Sequence, residues 1–402
     1  MYFSRYRAAR TYLLNAIGFI ALSSCGGGGG GQSASTSAVP AVSGAAIPSP
    51  TPGFALAATT VVVDGASMGA VNPNWGDGST AAGGQGQVVE GVTCNAPGAN
   101  YSYALLGIYL NGQLQSLPKD IGVVAPKATS QRECVYPANT RDASGKIRID
   151  TSAVMTLGQF FAIWGRPLSR TNVAGLTDQP IQVYINDNGN LEEYTGDLAS
   201  LQLLPQREIT IEVGSSLAQI PTYTWKNPPA LSASPITLWQ GKPIGATAWP
   251  DGDTASGGHG QTTPDGIACE PDMSDNYHVH VHVAIIKDSQ MQAIPQNIGL
   301  PNGCFYEMHT HDATGVVHIE APAYQRFTLG NLFSVWGQPL SPSNVAGITG
   351  RPVAAFINDG GEVWQYQGDL ADIEMVSHRS ITLQLGSTMD TIPSYSWGAS
   401  AQ

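Results

Sequence analysis

Between Tyr277 and Val283 polar and apolar residues alternate strictly, His278, His280 and His282 with Val279, Val281 and Val283. A period of two is that of an extended strand with one apolar face, so the three imidazoles are expected to share the other face. The apolar run continues to Ile286, and residues 291–294 follow after Asp288-Ser289, a pair suited to a hairpin turn; Asn111-Gly112 occupies the same place in an earlier, similar stretch. Two more hairpins are expected: 306–311 with 316–320, and 354–358 with 363–366 around Asp359-Gly360-Gly361. Residues 381–385 read as a closing strand. Helical spacing is confined to one short segment per half. In the later half Thr328 is the N-cap, Phe333 and Trp336 lie at i and i+3 facing a core, and Gly337 is the stop; in the earlier half Thr156 and Gln159 form a capping box. The expected fold class is α+β and β-dominated: two tandem homologous small domains built from hairpins with one short helix each.

The duplication runs through nearly the whole chain. Thr156-Leu157-Gly158 matches Thr328-Leu329-Gly330, Trp164-Gly165 matches Trp336-Gly337, Asn172-Val173-Ala174-Gly175 matches Asn344-Val345-Ala346-Gly347, and the copies close on Pro221-Thr222-Tyr223-Thr224-Trp225 and Pro393-Ser394-Tyr395-Ser396-Trp397. Residues 59–225 are the first repeat, 226–235 a Pro/Ser/Ala-rich linker, and 236–397 the second repeat. All eight histidines lie in the later half. Asn139 stands where the second repeat has His309, Arg141 where it has His311, Arg148 for His318 and Gln206 for His378. A fold that required imidazoles for packing would require them twice. Their one-sided distribution points to a site.

The front of the chain reads as a targeting segment. Arg5, Arg7 and Arg10 precede a mostly apolar stretch, 13–22, too short to span a bilayer. It ends in Leu22-Ser23-Ser24-Cys25-Gly26, which resembles the lipobox of bacterial lipoproteins. The resemblance implies that residues 1–24 are a signal peptide removed before Cys25, and that Cys25 is lipidated, so that the membrane is a partner through an N-terminal lipid; an ordinary secretory signal is the other reading. Residues 25–58, with the run Gly26 to Gly31, form a Gly/Ser/Pro-rich tether. The expected location is the cell envelope, in the periplasm, at the outer membrane or on the cell surface.

Charge and cysteines fit export. The formal charge is −12, and cleavage after Ser24 removes three arginines and no acid, leaving 15 basic residues against 30 acidic, a charge of −15. Such a surface repels phosphate backbones, so nucleic acid is not expected as a partner. Beside Cys25 each repeat holds two cysteines at equivalent positions, Cys94 with Cys134 and Cys269 with Cys304. Four cysteines allow three pairings, and the repeat favours one bridge per domain. Thiolate ligation by Cys269 and Cys304 is the rival reading, weakened because Cys94 and Cys134 persist where the histidines do not.

In the second hairpin a turn at Asp312 to Gly315 places His309 opposite His318, so that His309, His311, His318 and Glu320 converge on one face with the 278–282 strand. Several imidazoles, one carboxylate and no free thiolate suit a transition metal, copper or zinc. Candidate ligands are His278, His280, His282, His309, His311, His318, Glu320 and, reaching over from the last strands, His378. A pH-responsive polar cluster and a metal-free catalytic site are the alternatives. His259, in a Gly-rich loop, is expected in solvent. Gly65-Ala66-Ser67-Met68-Gly69 matches the nucleophile-elbow pattern but has no histidine in its repeat and reads as a turn. Asp64, Asp77, Asp251 and Asp253 read as turn residues rather than calcium ligands.

Tyr-His-x-His-x-His, followed by Cys-x-Tyr-x-x-His-Thr-His-Asp-x-x-Gly-x-x-His-Ile-Glu and Phe-Thr-Leu-Gly-x-x-Phe-x-x-Trp-Gly, resembles a recurrent His-rich extracytoplasmic domain of bacteria and archaea, over about 267–385 and in degenerate form 92–213. The pattern departs from that of cupins, because Glu320 follows His318 rather than an HxH pair, and is similar to α-carbonic anhydrases in ligand type alone. Two functions follow from these readings: a lipoprotein that binds metal for storage, delivery or sensing, or a metalloenzyme for hydrolysis, hydration or dioxygen chemistry with Glu320 or Asp312 as acid/base. In either case the first repeat would be a spacer or a protein-binding module.

Overall fold

The computed structural model describes residues 55–76, 83–97, 100–126, 133–238, 242–252 and 258–398. The leader, Cys25, most of the tether, Asp77 and Asp253 lie outside these residues. The first repeat contains β1 (Leu56–Val63), β2 (Tyr101–Leu110), β3 (Gln113–Ser116), β4 (Lys146–Asp150), α1 (Leu157–Trp164), β5 (Ile181–Asp187), β6 (Asn190–Glu193), β7 (Arg207–Val213) and β8 (Ile220–Trp225). The second contains β9 (Ile236–Leu238), β10 (Tyr277–Lys287), β11 (Gln290–Ala293), β12 (Met308–His309), β13 (Val316–Ala321), α2 (Leu329–Trp336), β14 (Val353–Asp359), β15 (Glu362–Tyr366), β16 (Ser380–Leu385) and β17 (Tyr395–Trp397). The fold is β-dominated, with two similar sheet-rich halves and one short helix in each.

Each half is organised around an eight-stranded sheet. In the second repeat the order β11-β10-β16-β14-β15 forms the main path, with β13 paired to the first half of β10 and β12 to β13. The segment expected to close the domain, β16, sits in the middle of the sheet, parallel to β10 and antiparallel to β14. All of its residues are buried, which an interior strand requires. Ala230–Leu231, within the stretch read as linker, pairs with Thr391–Ile392, and β1 begins within the stretch read as tether, pairing with β8.

The turns follow their residues. Asn111-Gly112, Asp288-Ser289 and Gly360-Gly361 all have positive φ at both positions, as the tight hairpin turn between right-twisted strands demands. The helices are capped alike: Thr156 with Gln159, and Thr328 with Asn331, each form a reciprocal capping box, and Gly165 and Gly337 take the left-handed conformation at the end. The cysteine pairs are bridged within each repeat, Cys94–Cys134 and Cys269–Cys304, as fits an oxidising compartment. Among the described residues no helix is long and apolar enough to cross a membrane.

The two halves have separate cores. In the second, Val279, Val281, Val283 and Ile285 of β10 and Val317 and Ile319 of β13 are buried with Leu329, Phe333 and Trp336 of α2. That packing orients the opposite face of β10 and β13, which carries the histidines. In the first repeat the equivalent face is covered by the tip of the β14–β15 hairpin. Buried Arg148 forms an ion pair with Glu362, Tyr103 donates to Glu362 at 3.1 Å, and the Arg141 guanidinium lies 4.8 Å from the Trp364 ring. Glu133 accepts from Arg141 at 2.6 Å and from Arg379 at 3.0 Å, and Arg379 also reaches Asp359 at 2.8 Å.

Candidate metal centre

Strand alternation sends His278 and His280 out of the apolar face of β10, and register sets what they meet. His278 pairs with Glu320, and His280 with His318, across β10 and β13; His309 pairs with His318 on the other side. The β12–β13 hairpin is held by the residues between the histidines. The Thr310 hydroxyl donates to the Pro295 carbonyl at 2.8 Å and accepts from the Ile298 amide at 3.1 Å. Asp312 accepts from the Thr314 amide at 3.0 Å. Thr140 and Asp142 make the same bonds in the first repeat, so Thr310 and Asp312 serve the turn common to both copies. Asp312 thus serves the turn through Oδ1.

The donor atoms converge. His309, His311, His318 and Glu320 form one group, His278, His280 and His318 a second, and Asp275, His278 and Glu320 a third, each with its ligand atoms within 4.8 Å of one another. Glu320 Oε1 lies 3.2 Å from His278 Nε2, 3.5 Å from His318 Nδ1 and 3.8 Å from His309 Nε2, and His280 Nε2 is 3.2 Å from His318 Nδ1. Ligands about 2.0–2.1 Å from a tetrahedral ion stand roughly 3.3–3.4 Å apart, and these separations are compatible with that spacing. These His/Glu groups could hold a metal ion.

His309 carries the clearest signature. Its ring is fully buried and its Nδ1–H donates to the Tyr306 carbonyl at 3.0 Å. That bond fixes the tautomer and leaves the Nε2 lone pair directed into the cluster, where Nε2 has no hydrogen-bond partner. Burial holds the His309 imidazole down to about 4, and burial, reinforced by the neighbouring His318, His278 and His378, holds His280 to about 3. Burial also lowers His311. The hydrogen bond with His318 keeps the Glu320 carboxyl below its ordinary range, helped by His309 and His278. Neutral imidazoles beside an ionised carboxylate are the coordinating protonation state. His311 is exposed while His278 and His318 are half-buried, so the cluster opens to solvent.

Two expected ligands fall outside these three groups. His282 faces Val316 across β13; its Nε2 lies 3.1 Å from the Thr314 carbonyl, its ring centroid is 3.8 Å from that of Tyr395, and burial holds it to about 3. His378 takes a left-handed turn conformation, its amide donates to the His280 carbonyl at 2.7 Å, and its ring packs against Trp397. None of the three ligand groups includes His282 or His378; the His282 ring packs against Tyr395 and the His378 ring against Trp397. His259 is exposed, as expected. Sequence reasoning missed Asp275, whose signal was its position three residues before His278.

Compared with protein-family models, curated proteins and solved structures, the chain matches none.

Proposed function

We propose that this chain is a lipid-anchored extracytoplasmic protein whose second repeat binds copper or zinc, for storage, delivery or sensing. The observation that carries the reading is His309. A buried imidazole with one nitrogen tied to the Tyr306 carbonyl and the other without a hydrogen-bond partner beside Glu320 leaves a polar atom at a cost that an ion would remove. Glu320 sits within 3.8 Å of three imidazoles, which favours a ligand over the acid/base of a hydrolase. Asp312 serves its turn through Oδ1. Exposure of His311 suits an ion that is exchanged with a partner or the medium rather than sealed into the fold. The resemblance of Leu22 to Gly26 to a lipobox supplies the anchor, and the two disulfides agree with an exported protein.

The test is titration of Cu(II) and Zn(II) into the mature chain and its variants. Loss of an outer-sphere partner typically weakens metal binding by about 10–100-fold, so His309→Ala and His280→Ala, which remove ligands, are each expected to cost at least on the order of 100-fold in affinity for the ion that the residue would hold. His259→Ala is expected to change nothing. Unaltered affinity in both His309→Ala and His280→Ala would overturn the assignment.

A further inference from the structure

The cluster contains more donors than one ion can use. Zinc or copper in a protein commonly takes about four ligands, and His309, His311, His318 and Glu320 already supply four. His278, His280 and Asp275 remain. They are not scattered: the His278 and His280 rings are 4.8 Å apart, His278 Nδ1 lies 3.8 Å from Asp275 Oδ1, and His278 Nε2 is 3.2 Å from Glu320 Oε1. Asp275, His278 and Glu320 form a ligand group in their own right, and His278 with His280 belongs to another. His318 is common to two of the three groups and Glu320 to two, so the donors divide into adjoining sets hinged on these residues.

Resting on the metal-binding reading, we infer that this face is a two-ion centre. His309, His311 and His318 hold the first ion, and His278, His280 and Asp275 hold the second beside it. The Glu320 carboxylate is shared between them through Oε1, the oxygen nearest His278, His309 and His318 alike. A carboxylate has two oxygens with lone pairs to spare, and paired ions about 3.5–4 Å apart are a common arrangement in proteins. Two adjacent dications repel, and the surroundings are suitably negative. A cleft whose lining includes Glu270, Asp272, Ser274, Glu307 and Glu320 opens against the site, and Asp275, the residue after Ser274, is exposed. The first repeat has Tyr101 and Tyr103 where the second has His278 and His280, paired to Asp150 and Arg148, so both halves of the donor set are lost together there.

Native mass spectrometry of the mature chain titrated with Cu(II), and separately with Zn(II), counts the ions. The expected result is two per folded wild-type chain, one in the His278→Asn/His280→Asn double variant, and one in His309→Asn/His311→Asn. Electron paramagnetic resonance of the Cu(II) form should show the first equivalent as an isolated centre, and the second should bring magnetic coupling between the two. One ion at saturation in wild type overturns the two-ion centre while leaving the metal-binding function standing. No bound ion overturns both. Two uncoupled ions, or two in the His278→Asn/His280→Asn variant, place the second ion elsewhere and overturn the inference.

Discussion

His309 and Asn139 separate what the fold needs from what the site needs. Each donates to the equivalent carbonyl of its own repeat, His309 Nδ1 to Tyr306 at 3.0 Å and Asn139 Nδ2 to Tyr136 at 2.8 Å. Only the imidazole offers a second nitrogen to the cluster. His309→Asn is therefore expected to keep the fold within about 1 kcal/mol, the scale of a single hydrogen bond, and to weaken the ion that His309 would hold; thermal unfolding without metal, set against a metal titration, checks both. His282 gives the complementary case. Its imidazole is held neutral in the fold, at about 3 against an ordinary value of 6.5, so the folded state binds fewer protons than the unfolded one. Its contribution is whole above about pH 6.5 and is lost as pH falls towards 3. Leu105 holds the equivalent place in the first repeat, against Tyr223, so His282→Leu should flatten the loss of stability between pH 6.5 and 4, read by denaturant unfolding, without changing metal affinity. Alternation in the sequence was enough to show which face the imidazoles share. It could not show that Tyr395 would fill the space beside His282, a contact made across the whole repeat.

At the scale of elements, the β12–β13 hairpin was legible because both its register and its turn are local. His309 opposite His318 followed from the length of the Asp312 to Gly315 turn, and the structure has that pairing. Gly315 is required there: φ is +85°, and a Cβ would come 2.3 Å from the Val283 carbonyl oxygen and 3.2 Å from His282 Nε2. Gly145 is held in the same way against Leu106. Gly315→Ala is expected to destabilise the protein by roughly 1–3 kcal/mol and to weaken metal binding, since the turn and β10 must move apart; Gly347→Ala, where a Cβ has open space though φ is +83°, should cost stability alone. Unfolding midpoints and metal titrations of the two variants make the comparison. The order of strands was not legible. Periodicity identifies β16 as a strand, but its place between β10 and β14 depends on its pairing with β10, nearly a hundred residues earlier in the chain.

Across the whole molecule, the first repeat explains why it has no histidines. The face that would hold a metal is instead closed over the β14–β15 tip, with Arg148 on Glu362 and Arg141 over Trp364. The sequence suggested two tandem domains; each half has its own core, and the ion pairs between Arg148 and Glu362 and between Glu133 and Arg379 join the halves through residues too distant in the chain for pattern to reveal. Removing one partner of a buried pair typically costs about 3–5 kcal/mol, so Glu362→Ala should lower unfolding stability on that scale while leaving metal stoichiometry intact. The central claim is that one face of the second repeat is a metal centre, and an anomalous difference map from crystals of the metal-loaded chain, recorded at the edge of the added metal, tests it most directly. The account predicts density about 2.0–2.2 Å from both His309 Nε2 and a Glu320 oxygen. Density only at His259, at His378 or at a residue outside the cluster, or none at all, would contradict it.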